Sequence, residues 1–336
     1  MIISRIKYNL FFILLISLIS CFEKDEPVSP YPGEAITINN NINSFQSYFD
    51  FETGEVKAVN PVNDWQLGFE SSRNGWHILV NSGANWLVWN TRLKDIRASM
   101  PEEEPQSWAY DIQSEYPDST AIGVWSSMNN QNRIYTDHVY ILGKLSGNDY
   151  TDRKRIQFYY VDSFLYRFRF YDEVSGSFDS ATIHKIDTAA FVYYNFQERN
   201  QLNFEPASDK YDIVFTTYYD LATQFGVTIP YLVRGVLLNI SGCRAVLDSV
   251  NRYSGIDYEM LDQYQFLSQR DIIGYRWKNV NVNASEGGAN YTVLTHYNYI
   301  IETPEGNFFK MRFLSYSLNG ESGYPRFEMK ELNPIQ

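Results

Sequence analysis

Cysteine is nearly absent from this chain: Cys21 and Cys243 are the two among 336 residues. Two thiols cannot build a disulfide framework or a four-cysteine zinc site. Cys243 follows Gly242 in an apolar run and reads as an inert buried thiol. Histidine is scarce as well, at four, with no His-Glu-x-x-His or His-x-His arrangement to hold a catalytic metal. A Gly-x-Ser-x-Gly elbow and a glycine-rich phosphate loop are both missing. Paired carboxylates of the glycosidase kind are spaced in three dimensions, and nothing in the sequence points to them. The chain therefore reads as non-enzymatic. Positive charge is short too. Against 40 Asp and Glu there are 28 Lys and Arg, a net charge of -12, with no basic stripe. Such a surface repels phosphate backbones, which excludes nucleic acid.

No apolar run is long enough to cross a bilayer as a helix, which takes about 20 residues. The run from Leu10 to Ile19 follows the basic Arg5 and Lys7 and closes on Leu18-Ile-Ser-Cys21. Residues 1–20 thus read as a cleaved leader. Its end resembles the lipobox of bacterial lipoproteins, which implies that Cys21 is lipidated and becomes the first mature residue. Loss of Arg5 and Lys7 lowers the net charge from -12 to -14. Phe22-Glu-Lys24-Asp25-Glu26 resembles the export tag that sends lipoproteins of Bacteroidota to the cell surface. Pro27, Pro30, Pro32 and Gly33 then make residues 21–34 a stiff tether. Several acyl chains give stable anchoring where one is marginal. The expected address is the outer membrane, on its outer face.

What the chain has in abundance is aromatics: 27 Tyr, 22 Phe and 7 Trp. These favour the half-buried surface of a sheet. Arg155–Val161 and Tyr166–Phe170 alternate at period two, and Phe308–Leu314 nearly so. Only 256–270 could form a short helix. The expected class is all-β, with antiparallel sheets. One plan also recurs. Tyr48-Phe-Asp-Phe51 and Asp64-Trp-Gln-Leu-Gly-Phe69 are echoed by Tyr193-Tyr-Asn-Phe196 and Tyr211-Asp-Ile-Val-Phe215. Ile122-Gly123 is echoed by Ile273-Gly274, and Tyr140-Ile141 by Tyr299-Ile300. Two tandem units, 35–186 and 187–336, are the natural division, each of normal domain size. Alternation places Trp65, Leu67 and Phe69 on one face as strand core. Asp64 reads as a turn acceptor for backbone donors. Gly54 and Gly306 read as hairpin turns.

Tyr48–Phe51, Thr53-Gly54, Asp64–Phe69, Trp76-His-Ile78 and Asn81-Ser-Gly83 together resemble the opening of the HmuY family of Bacteroidota surface lipoproteins. The segment from Tyr299 through Gly306, Lys310 and Phe313 to Tyr316, then Gly323 and Phe327, is similar to that family's closing hairpin. The resemblance implies an all-β lipoprotein that binds haem and passes it to a TonB-dependent transporter. Haem needs axial donors over an apolar slot. Met128 and His138 are the leading pair, flanking a loop rich in Ser, Asn and Gln; His296 and His77 follow, and His184 lies in a strand-like run. Each histidine alone is more often a surface or hydrogen-bonded residue. Trp125 and Tyr140 are the candidate pocket walls. The Trp76, Trp86, Trp89, Trp108 and Trp125 cluster supports a different reading, a glycan-binding surface lipoprotein, although large aromatics usually fill β cores. A third is an accessory structural subunit of an outer-membrane complex without a small ligand. Glu102-Glu-Glu104 is a solvated charge run.

Overall fold

The computed structural model describes residues 35–224, 227–283 and 288–334, which belong to one compact unit; the leader, Cys21 and the tether lie outside them. The class is all-β. Every strand pairing among the described residues is antiparallel, and these residues build four main sheets. No described helix is long and apolar enough to cross a membrane.

The first outer sheet runs, in spatial order, Ser177–His184, Leu165–Asp172, Asp149–Val161, Tyr140–Ser146, Trp86–Asn90. The first inner sheet runs Asn200–Leu202, Phe191–Asn195, Leu67–Glu70, Ile78–Val80. Phe69, Phe158, Phe168 and Tyr194 fill the core between them. The second outer sheet runs Ile36–Thr37, Glu321–Leu332, Phe308–Leu318, Asn298–Glu302, Arg244–Asp248. The second inner sheet runs Glu55–Pro61, Phe45–Asp50, Ile213–Gln224, Val227–Leu238. Phe49, Phe215, Trp277 and Phe313 fill that core. The two sheet pairs have the same strand order, so the plan recurs in space as well as in sequence.

The recurrence is not in tandem. The boundary expected at 186/187 is not where the sheets divide. Strand Phe191–Asn195, beyond it, pairs with Leu67–Glu70 and serves the first core. Strands Ile36–Thr37 and Phe45–Asp50, from the chain's start, pair with Glu321–Leu332 and Ile213–Gln224 and serve the second. The first three strands therefore do for the second core what Ser177–His184, Phe191–Asn195 and Asn200–Leu202 do for the first. The hydrogen bonds repeat too. Asn81 Nδ2 donates to the carbonyls of Val62 (2.7 Å) and Trp65 (2.8 Å), and Asn239 Nδ2 to those of Ser208 and Tyr211, both at 2.7 Å.

The inner sheets bury both faces. Tyr48, Tyr211, Val214 and Tyr218 leave the second core and turn the other way, as Leu79, Phe191 and Tyr193 do in the first inner sheet, with Phe204 packed against both groups. Trp65 belongs to this middle layer rather than to the face of Leu67 and Phe69. It precedes the strand, at the end of the 3-10 turn Val62–Asp64, where the alternation has not begun. Its Nε1 donates to Gln46 Oε1 at 2.8 Å, across to the second inner sheet. Asp64 offers its carbonyl to Asn195 Nδ2; Gln66 is the side chain that accepts a backbone donor, the amide of Phe196 at 2.7 Å. Gly54 and Gly306 do turn hairpins at positive φ, 68° and 87°. The 256–270 stretch forms a 3-10 segment at Tyr258–Gln263, after another at Tyr253–Gly255, instead of an α-helix. Only Ile256 and Leu261 are fully buried there, too few for a helical stripe.

Candidate functional site

The residues expected to hold a ligand do not converge on a slot. Met128 stands on the hairpin of Ser126–Asn129 with Asn132–Tyr135, opposite Arg133, and is 58% exposed. His138 lies half-buried in the approach to Tyr140–Ser146; its Nδ1 is buried with no hydrogen-bond partner. Trp125 and Tyr140, the expected walls, are instead packed inside the first core, each 1% exposed. Trp125 stacks on Tyr135 at 5.7 Å and donates Nε1 to the Trp76 carbonyl at 2.8 Å. Tyr140 packs at 5.7 Å from Phe158. Large inward aromatics on a strand fill the core before they can line a pocket.

His77 is committed elsewhere. Its Nδ1 sits 2.5 Å from Glu70 Oε2, and its ring lies 4.1 Å from Trp76. Burial pushes the Glu70 carboxyl up, and hydrogen bonds and charge, chiefly from His77, more than offset it. His296 is exposed in the turn before Asn298–Glu302, edge-on to Tyr297, and His184 is exposed at a strand end. Trp86 and Trp108 are buried and Trp76 and Trp89 half-buried, so the tryptophan cluster offers no open stacking platform. Cys243 is buried, and burial raises its thiol well above the usual range. Among the described residues, no three His, Cys, Asp or Glu side chains gather as a metal site.

Two polar features are not marked by any motif in the sequence, one between the inner sheets and one at the strand Ile213–Gln224. The first is structural. Between the inner sheets, Glu205 accepts from Tyr193 Oη (2.5 Å), Tyr211 Oη (2.9 Å) and the Ala190 amide (3.2 Å). Burial raises its carboxyl despite these bonds. Arg270 stacks over Tyr116 and Phe191 and donates to Gln113 Oε1 at 2.6 Å. The adjoining cavity holds about 40 Å³, room for water and no more.

The second is a cleft of about 410 Å³, within the range of small-molecule sites, roughly 300–1,000 Å³. Strand Ile213–Gln224 supplies its floor. Alternation puts Val214, Thr216, Tyr218 and Asp220 on one face, so the strand carries a carboxylate to the end of a buried row. Asp220 is 4% exposed. Opposite lies the segment 269–276, held by the Val236–Gly274 bridge and by Gly274 at φ +58°. A side chain at Gly274 would meet the Asp271 carbonyl at 2.7 Å and Tyr218 Oη at 3.5 Å; Asp271 lines the cleft beside Gly274, and Tyr218 does not. Asp220 Oδ2, Asp271 Oδ1 and, outside the cleft lining, Tyr218 Oη are buried without a hydrogen-bond partner. Arg276, 75% exposed at the rim, approaches Asp220 Oδ2 only to 4.0 Å. Burial, then the charge of Asp220, raises the Asp271 carboxyl. Leu247, Ile272 and Tyr275 supply apolar wall, and Ser114 and Gln269 add polar groups to the lining. The signal was present in the sequence: a lone Asp in phase with Val214 and Tyr218 marks a charge on a buried face.

No protein-family model matches the chain, and no curated protein matches it. Among solved structures, a candidate lipoprotein of Bacteroides fragilis is similar over 54% of this chain and 90% of its own, at 13% identity and a TM-score of 0.23. The apo form of an HmuY analog of Tannerella forsythia is similar over 90% of this chain and 96% of its own, at 9% identity and a TM-score of 0.25. At these scores neither likeness bears on what the chain binds.

Proposed function

We propose that this chain is a lipid-anchored, non-enzymatic binding protein of the cell surface that holds a small ligand in the Asp220–Asp271 cleft. The observation that carries the reading is the cleft itself, a cavity of about 410 Å³ whose lining includes the carboxylate residues Asp220 and Asp271. A concave site of that size with a few polar groups among apolar ones is the usual form of a small-molecule site. Lipid attachment at Cys21 and the outer-membrane address rest on the sequence, as does delivery to a TonB-dependent transporter.

Haem is the competing ligand, through the resemblance to the HmuY family. One observation favours it, the unpartnered buried Nδ1 of His138. Against it stand the packed Trp125 and Tyr140 and the lack of any His or Met lining the cleft. The residues present do not form an apolar slot under an axial donor. The deciding experiment is a small-molecule thermal-shift screen of the mature protein, with haemin followed separately in the Soret region. Ligands of the cleft should lose their shift in Leu247→Trp, whose indole fills the opening. A Soret band lost in Met128→Ala or His138→Ala would replace the cleft with haem as the function.

A further inference from the structure

We propose that a pocket separate from the cleft, walled by Arg234 and Lys278, binds a small carboxylate. Strand Lys278–Asn283 pairs with Gly288–Val293, and alternation puts Lys278 and Val280 on one face, with Tyr291 directly across from Val280. Tyr231 and Arg234 from strand Val227–Leu238 and Tyr316 from Phe308–Leu318 line the same pocket. Tyr275 completes the wall and is the one lining residue shared with the cleft. The lining holds two cations and no carboxylate, in a protein whose net charge is -12.

Neither cation is compensated by the described residues. Three lysines are buried among these residues, and their surroundings differ. Lys154 has Asp152 at 2.6 Å and Asp172 at 3.2 Å. Lys310 Nζ donates to the carbonyls of Tyr253 (2.7 Å) and Ile256 (2.6 Å). Lys278 Nζ donates once, to the Arg234 carbonyl at 2.6 Å, and otherwise lies over the rings of Trp277 at 4.1 Å and Tyr316 at 4.6 Å. An ammonium has three donors, and burying one with no anion in reach costs free energy. Burial, then the charge of Arg234, pushes the Lys278 amine down to about 7. The Arg234 side chain makes no hydrogen bond or ion pair among the described residues; its Nε is enclosed, which leaves the two terminal nitrogens to meet a ligand.

Size narrows the occupant. The pocket holds about 30 Å³. One water needs about 10–15 Å³ on this measure, so the space suits a carboxylate and is too small for a sugar or haem. A guanidinium fork matches the two oxygens of a carboxylate, and an ammonium adds a charge-assisted bond. The anion also returns a counter-charge to Lys278 and so raises its amine again. Binding should therefore draw in a proton above pH 7 and weaken as pH rises.

The test is isothermal titration of the mature protein with sodium formate and with formamide, its neutral counterpart, at pH 6 and pH 8.5 in buffers of different ionisation heat. Formate should bind at least tenfold more tightly than formamide, and several-fold more tightly at pH 6 than at pH 8.5. Its heat should depend on the buffer at pH 8.5, where a proton is taken up, and hardly at all at pH 6. Lys278→Met and Arg234→Met should each weaken formate at least tenfold at pH 6, and the exposed control Lys330→Met should not. Lys278→Met should melt no lower than the parent without formate, because it removes a buried charge that has no counter-ion. Should that variant fail to fold, the buffer dependence of the parent still reports whether Lys278 takes up a proton. Equal binding of formate and formamide would overturn the preference for an anion. Formate binding that survives both variants, or that is lost in Leu247→Trp, would move the anion to Arg276 in the cleft. No formate binding at pH 6 would end the inference and leave the cleft as the ligand site.

Discussion

Asp212 does in the second sheet pair what Gln66 does in the first. Gln66 Oε1 accepts the amide of Phe196, and Asp212 Oδ2 accepts that of Phe51, each at 2.7 Å. Both residues open the central strand of an inner sheet, and both stop the neighbouring strand at its final phenylalanine. One position uses a neutral amide and the other an acid. That difference has a thermodynamic consequence, because Asp212 is 2% exposed.

Burial pushes the Asp212 carboxyl up to about 7, with the charges of Asp50, Glu305 and Glu52 adding to it against the Phe51 hydrogen bond. A carboxyl raised on folding favours the native state fully below its unfolded value, near 4, and loses that contribution as pH rises toward 7. Asp212→Asn keeps the acceptor that Gln66 already provides and removes the titration. Its melting temperature should match that of the parent near pH 4 and exceed it at pH 8. The gap at most corresponds to about 4 kcal/mol, at ~1.4 kcal/mol per pH unit. Glu205 and Asp111 are raised by burial as well, so the parent's slope should shrink without vanishing. A parallel offset at every pH would show that Asp212 does not titrate in this window.

The layering makes a second expectation. Phe168 sits in the first core and Phe313 in the second, both fully buried. Phe168→Ala and Phe313→Ala should each cost roughly 3–5 kcal/mol. Trp65→Ala and Tyr211→Ala act in the middle layer, where Gln46 joins Trp65 and Glu205 joins Tyr193 to Tyr211. Because that layer ties the two sheet pairs, denaturant unfolding should show one transition that all four variants shift. Two transitions, each moved by only one core variant, would mean that the cores unfold independently.

Much of the architecture was legible in the sequence, because period-two aromatics and turn glycines are local signals. The echoes between Tyr48–Phe51 and Tyr193–Phe196, and between Asp64–Phe69 and Tyr211–Phe215, match strands at equivalent places in the two inner sheets. The partition was not legible. Nothing local in Ile36–Thr37 or Phe45–Asp50 says that their partners lie more than 150 residues away, since strand pairing is a long-range choice. Trp125 and Tyr140 misled for a related reason: an indole or phenol at an inward strand position looks the same in sequence whether it lines a cavity or fills it. Asp220 was readable as an acid in phase with aromatics, but its meaning depends on the segment around Gly274 that closes over it.

The close approach of the inner layers at Gly83 makes a steric prediction. A methyl group there would overlap the carbonyl oxygen of Thr217, in the strand that carries Tyr218 and Asp220. Backbone cannot retreat as a flexible side chain can, so Gly83→Ala should destabilise by at least the ~1–3 kcal/mol typical of overpacking. Gly255→Ala, with open space around its position, is the control and should change stability little. Equal melting temperatures for the two variants would mean that the inner sheets separate there freely.

Anchoring gives the last expectation, on Leu18-Ile-Ser-Cys21. Cys21→Ala removes the thiol that the diacylglycerol would occupy, so the protein should leave the membrane fraction or remain uncleaved, and should not incorporate radiolabelled palmitate. Replacing Lys24, Asp25 and Glu26 with alanine should keep the label and reduce digestion by protease added to whole cells. The two results separate lipidation from surface display, because one depends on a covalent bond and the other on recognition of the mature amino terminus. Strand Ile36–Thr37 pairs with Phe327 and Arg326 at the edge of the second outer sheet. Loss of the acyl chains should leave the melting temperature of the folded part unchanged, since the described strands begin at Ile36. Retention of palmitate in Cys21→Ala would place the lipid elsewhere, and unchanged digestion in the triple variant would mean that the tag does not set the address.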